Sequence, residues 1–140
     1  MKRFVALMLV AVLVVGICAT AFAAKPTVTF DSATRNQKVK RGKTARIIFT
    51  VDSKSYSSYV KGRYYAGFDY YICRGSKNGP RMTEIASRDW TGKIRYNFKW
   101  KTKKSMLPGK YVNVVKVYYR NSIYSNWILA KTKTANMTLK

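Results

Sequence analysis

The sequence predicts an all-β fold, a sandwich or barrel of about seven strands, and three observations carry that reading. Between Lys93 and Lys101 the residues alternate strictly. Ile94, Tyr96, Phe98 and Trp100 fall on one face, and Lys93, Arg95, Asn97, Lys99 and Lys101 on the other. This is the mark of a strand with one buried and one wet face. Further runs of strand length recur at regular spacing, divided by clusters of Gly, Pro, Asn and Ser, as short-stranded sandwiches and barrels read. No stretch of the presumptive domain carries a helical period or an internal repeat.

The first 23 residues stand outside this pattern. Lys2 and Arg3 precede an apolar run from Phe4 to Ile17, and Ala21-Phe22-Ala23 has the small-x-small form of a cleavage site. The segment resembles a bacterial Sec signal peptide, which implies an exported chain whose mature form begins at Ala24 and a secreted or envelope-associated location. The apolar run is short for a bilayer-spanning helix, and no later run approaches 18 apolar residues, so no transmembrane segment is expected after cleavage. Residues 24–140 are then a single domain, long enough to bury roughly two-thirds of its unfolded surface.

Within that domain each element has its own signal. Val28 and Phe30 alternate with Thr27, Thr29 and Asp31 behind Pro26, an edge strand, since proline is tolerated at a strand's start. Residues 33–43 are polar and broken by Gly42, with a weak strand at 37–40. From Thr44 to Asp52, Ala45, Ile47, Phe49 and Val51 face one way and Arg46, Ile48 and Thr50 the other, predicting a core strand. Residues 53–66 mix Ser, Lys, Arg and Tyr without a period; loops of this length are often functional, and part of it has room for a short strand. Phe68 to Arg74 resumes the alternation, 75–80 is dense in turn residues, Met82 to Ser87 reads as a short strand, and 88–92 as a turn carrying Trp90. The strand from Tyr111 to Arg120 is apolar on both faces and therefore central. The last strand, Trp127 to Leu139, changes phase near Lys131, predicting a bulge.

Before that central strand stands Met106-Leu107-Pro108-Gly109-Lys110-Tyr111. This run resembles the corner of fibronectin type III and related immunoglobulin-like domains. The resemblance implies an immunoglobulin-like antiparallel β-sandwich in which the Tyr111 hydroxyl bonds back to the corner's backbone. It covers about 15 residues by motif; no cysteine pair spans the sandwich, so the likeness is to the broad superfold, and folds of this kind host many functions.

Charge is the strongest functional signal. Of 28 Lys and Arg, two fall in the leader; the remaining 26 face 5 acids, a formal net charge of +21. Eighteen aromatic residues in the same segment argue against disorder as the reason for it. A field of this size attracts polyanions. Catalysis is not expected. There is no histidine, which removes Ser-His and Cys-His pairs and the usual zinc sites, and nothing singles out a pair of acids or a Ser-Lys dyad. No metal or cofactor is expected. Arg41-Gly42-Lys43-Thr44 ends like a phosphate-binding loop, but Gln37 stands where its first glycine belongs. Cys18 leaves with the leader, so Cys73 is either a buried inert thiol or the seat of an intermolecular bridge.

Two surfaces are candidate binding sites. Lys93, Arg95, Lys99 and Lys101 form a linear row with a spacing of about 6.5–7 Å, suited to repeating phosphates or carboxylates; the same row also serves as a charged exterior that blocks edge pairing. Tyr56, Tyr59, Arg63, Tyr64 and Tyr65 suit stacking on sugars or bases, unless several of the tyrosines pack into the sandwich. The expectation is a secreted, strongly basic, non-catalytic module that binds an anionic cell-wall or glycan polymer or an acidic protein surface, with nucleic acid as a non-specific partner. The alternatives are a protein-interaction or assembly module and a neutral carbohydrate-binding module. The sequence leaves the oligomeric state open.

Overall fold

Period-two alternation turns into two sheets that bury their facing sides against each other. The computed structural model describes residues 24–56, 59–60, 63–90 and 92–140, with backbone alone at 59–60, 63–64 and 88–90. The leader and its cleavage site lie outside the described residues. The strands are β1 (Thr27–Phe30), β2 (Gln37–Val39), β3 (Thr44–Asp52), β4 (Tyr59–Val60), β5 (Arg63–Tyr64), β6 (Ala66–Arg74), β7 (Arg81–Trp90), β8 (Lys93–Lys101), β9 (Gly109–Tyr119) and β10 (Ile128–Leu139).

One sheet has the order β1-β3-β8 and the other β2-β10-β9-β6-β7, while β4 and β5 form a hairpin of their own. The fold is therefore all-β, with eight strands in two sheets where about seven were expected. All the pairings are antiparallel except that of β2 with β10, which is parallel through Gln37↔Met137 to Val39↔Leu139.

Phe49 sits at the centre of the core. Its ring lies 5.3–6.0 Å from those of Phe30, Phe68, Tyr70, Tyr96 and Phe98. Aromatic pairs of this kind contribute about 0.5–1.5 kcal/mol each beyond their buried area. Ile47, Val51, Ile72, Val115, Val117 and Met137 close the space around them. The Tyr111 hydroxyl donates to the Leu107 carbonyl at 2.8 Å, the tie expected of the corner. Strand β9 lies between β10 and β6. Its second apolar face builds a smaller core of Tyr71, Cys73, Val112 and Val114. The turn after β6 folds back over this core: Gly75 N–H donates to Lys110 O at 2.8 Å, Arg74 N–H to Pro80 O at 3.0 Å, and the Cys73 thiol to Lys77 O at 3.5 Å. Cys73 is buried and free.

One local expectation changes, and three are met. Strand β7 runs through residues 88–90 instead of ending at Ser87, and Trp90 pairs with Ala66, so Trp90 belongs to a strand and not to a turn. The register shift between Ala66 and Phe68 puts an extra β7 residue into the ladder here, so the strand continues without the alternation that reveals one in sequence. The 53–66 segment is a 3-10 turn at Lys54–Tyr56 followed by the β4-β5 hairpin. The piece at 37–40 is tied to the last strand. The phase change near Lys131 is a register shift between Leu129 and Lys131.

Candidate anion-binding face

Strand pairing decides which cations stand together. On β8 the residues alternate exposed and half-buried: Lys93, Arg95, Asn97, Lys99 and Lys101 face out, while Ile94, Tyr96, Phe98 and Trp100 pack on the core. Register against β3 sets Lys93 opposite Asp52, Arg95 opposite Thr50, Asn97 opposite Ile48, Lys99 opposite Arg46 and Lys101 opposite Thr44. Adjacent strands lie about 4.8 Å apart, and the row spans about 27 Å from Lys93 to Lys101.

The two halves of this row differ electrostatically. At the first half, Asp31 accepts from the Arg95 guanidinium at 3.3 Å and from the Ala33 N–H at 3.0 Å. The Ala33 N–H first, and Arg95 second, hold its carboxyl below the ordinary carboxylate range. Asp52, opposite Lys93, accepts from the Lys54 N–H at 2.9 Å and pairs with the Lys54 ammonium at 3.3 Å. That N–H first, then the charges of Lys54 and Lys93, lower its pKa as well. The acids thus offset Lys93 and Arg95.

No ion pair engages Arg46, Lys99 or Lys101 among the described residues. Arg46 directly faces Lys99, a pairing of like charges that destabilises a sheet. The adjoining turns add Lys43, Lys103 and Lys104, and their backbone is pinned. Thr102, buried, accepts from the Gly42 N–H at 3.0 Å and donates its hydroxyl to Lys43 O. The Arg41 guanidinium donates to the carbonyls of Lys104, Met106 and Lys140 at 3.3–3.4 Å. This end of the molecule is a cationic corner that begins on β8 and β3 and continues onto two hydrogen-bonded turns.

The four row residues predicted from sequence share one face, in two halves of different electrostatic surroundings. Lys99 and Lys101 belong to the acid-free corner, and Lys93 and Arg95 to the compensated half. Arg46, Lys43, Lys103 and Lys104 were missed. The outward phase of Arg46 was legible, but its position opposite Lys99 depends on register, which alternation alone does not set.

The tyrosine-rich segment lies at the other end of the sandwich. Tyr56 packs on Tyr119, with ring centroids 4.7 Å apart, and its hydroxyl donates to Asn121 Oδ1 at 3.4 Å, so Tyr56 serves the scaffold. Tyr65, half-buried, joins β9 through the Arg120 N–H to its carbonyl at 3.0 Å. Tyr59, Arg63 and Tyr64 fall on the hairpin, and their side chains lie outside the described residues. The Lys93 end of the row approaches this segment, and the acid-free end lies a full strand length away.

On the outer face of the five-stranded sheet, Tyr71 borders two shallow hollows of about 240 and 170 Å³. The Arg81 guanidinium covers its ring at 3.9 Å and pairs with Glu84 at 2.9 Å. Both hollows are smaller than typical small-molecule pockets of about 300–1,000 Å³. Among the described residues no three Asp, Glu or Cys side chains come together as a metal site. No protein-family model matches the sequence, and no curated protein matches it.

Proposed function

We propose that the chain is an exported, non-catalytic binding module with an immunoglobulin-like sandwich, and that it holds an anionic polymer on the corner formed by Arg46, Lys99, Lys101 and the turns beside them. The strand order, the parallel β2-β10 contact and the Tyr111 corner support the immunoglobulin-like reading. One observation carries the ligand class: Arg46 and Lys99 are directly opposed, with no carboxylate paired to either among the described residues. A sheet that keeps like charges opposed gives up stability, and an anion laid across them restores it. Cations spaced along strands match repeating phosphates or carboxylates, and attraction to such a polymer works by counterion release.

The test is binding of the purified protein to polyphosphate, with a neutral polysaccharide as control, from about 50 to 500 mM salt. Affinity for polyphosphate falls steeply across the series. The Lys99→Ala/Lys101→Ala double variant lowers the log–log slope by roughly one for each lysine. The Lys93→Ala/Arg95→Ala pair changes it less, because acids already offset those charges. Binding that is unaffected by salt, or equal losses in the two pairs, would overturn the assignment.

A further inference from the structure

Three turns meet at the end of the sandwich where β2, β6 and β8 finish. Residues 40–43 pass from β2 to β3 and residues 102–108 from β8 to β9, each crossing between the sheets, while residues 75–80 join β6 to β7. Hydrogen bonds tie the first turn to the second and the third to β9. The Gly42 N–H donates to Thr102 Oγ1 at 3.0 Å, the Arg41 guanidinium to the carbonyls of Lys104 and Met106 at 3.4 and 3.3 Å, and the Gly75 N–H to Lys110 O at 2.8 Å. Lys40, Lys43, Lys77, Lys103, Lys104 and Lys110 are all exposed there, and the three turns contain no acid. The five acids of residues 24–140 lie elsewhere: Asp52 and Asp89 towards the far ends of β3 and β7, Asp31 beside the middle of β3, and Asp69 and Glu84 within β6 and β7. Charge is therefore polarised along the strands.

An apolar residue stands among these lysines. Leu107 is 56 % exposed, more than any other leucine, isoleucine or methionine among the described residues, and Pro108 beside it is exposed too. The Tyr111 hydroxyl holds the Leu107 carbonyl at 2.8 Å, so the backbone is anchored while the side chain stays in water. A lone exposed leucine is ordinary on a protein surface. One set on a turn among exposed lysines combines the two terms that bind proteins to a lipid interface: apolar area that enters the acyl boundary and cations that meet anionic headgroups.

We infer that this end of the sandwich seats on an anionic lipid surface, with Leu107 entering the acyl boundary and the lysines of the three turns over the phosphate headgroups. A polymer would engage the lysines and leave Leu107 in water; a bilayer takes up both. The lysines also spread over turns from both sheets, an area suited to a plane of anionic groups, whereas Lys99 and Lys101 lie along one strand. The inference goes beyond the polymer assignment and needs no polymer on Arg46, Lys99 and Lys101.

Co-sedimentation of the protein, expressed from its full sequence, with lipid vesicles tests the proposal. Phosphatidylcholine vesicles that contain about one-quarter phosphatidylglycerol bind it more tightly than pure phosphatidylcholine vesicles. Leu107→Ser lowers the affinity for the charged vesicles about tenfold, the worth of one leucine moved out of water, and leaves polyphosphate binding unchanged. Lys40→Ala/Lys77→Ala/Lys110→Ala lowers vesicle affinity about a hundredfold, while Lys99→Ala/Lys101→Ala remains the larger loss for polyphosphate. In Leu107→Trp, lipids brominated in their acyl chains quench fluorescence beyond the quenching seen in the parent, which places residue 107 in the hydrocarbon. Far-UV circular dichroism checks that each variant keeps its sheets. Equal binding to charged and uncharged vesicles, a Leu107→Ser variant that binds as the parent does, or no added quenching in Leu107→Trp would each overturn it. Polyphosphate is measured in parallel, so the polymer assignment and this one fail separately.

Discussion

Tyr70 and Asn113 form a polar link inside an otherwise apolar core. The Tyr70 hydroxyl donates to Asn113 Oδ1 at 2.9 Å, and the Asn113 amide donates to the Ala135 carbonyl at 3.4 Å, tying β6, β9 and β10 together. Removing one partner strands the other in a dry environment, at about 1–3 kcal/mol. Tyr70→Phe is therefore expected to lower unfolding stability by that amount in urea titration, and a loss below ~0.5 kcal/mol would deny the link its importance. Burial also pushes the Tyr70 hydroxyl well above the ordinary tyrosine value, and raises Tyr96 by the same cause. The sign follows from linkage. A group whose folded pKa is raised contributes fully below the unfolded value, about 10, and that contribution drains away as pH rises above it. Stability measured from pH 8 to 11 should hold until about pH 10 and then decline. In Tyr70→Phe the alkaline slope should be shallower than in the parent chain; equal slopes would exclude Tyr70 as its source.

At the scale of elements, the turn after β6 matters most for integrity. It roofs the second core, and Gly79 lets it close: a Cβ there would meet the Arg74 carbonyl oxygen at 1.9 Å. Gly79→Ala must displace backbone, so the expected outcome is a loss of about 1–3 kcal/mol. Cys73 beneath the turn reports the opening. Its thiol pKa is raised by burial, and it should react slowly with a disulfide reagent in the parent and at least about tenfold faster in Gly79→Ala. Unchanged reactivity would mean that the turn is not the roof. The sequence disclosed elements according to how strictly they alternate. Strand β8 and the inward phase of β3 were legible because one side of each is wet. Strand β9 was recognised as central because it is apolar on both sides. The 88–90 extension of β7 was hidden because a register shift against Ala66/Phe68 breaks its alternation there. The cationic corner was half visible: Lys99 and Lys101 stood in a row, while Arg46 joined them only through cross-strand register.

For the whole molecule, the decisive quantity is a formal charge of +21 on residues 24–140, against which ion pairs such as Lys54–Asp52, Arg81–Glu84 and Arg95–Asp31 lie at least partly exposed. Exposed pairs contribute little, whereas self-repulsion acts on every part of the surface. Raising salt should therefore stabilise this protein, with a thermal midpoint higher by a few degrees, about 3–6 °C, between ~20 and ~300 mM sodium chloride. A falling midpoint would show that the exposed pairs outweigh the repulsion.

The parallel contact between β2 and β10 has a consequence in time. Strand β10 pairs with β9 on one side and with β2, about a hundred positions earlier, on the other. The backbone of Arg41 bonds to Lys140 as well. The sandwich cannot seal until residues 128–139 have left the ribosome, and sealing it joins distant parts of the chain, an intrinsically slow kind of contact. Until then the nascent polypeptide has no complete sandwich, and its apolar strands stay exposed to solvent and to one another.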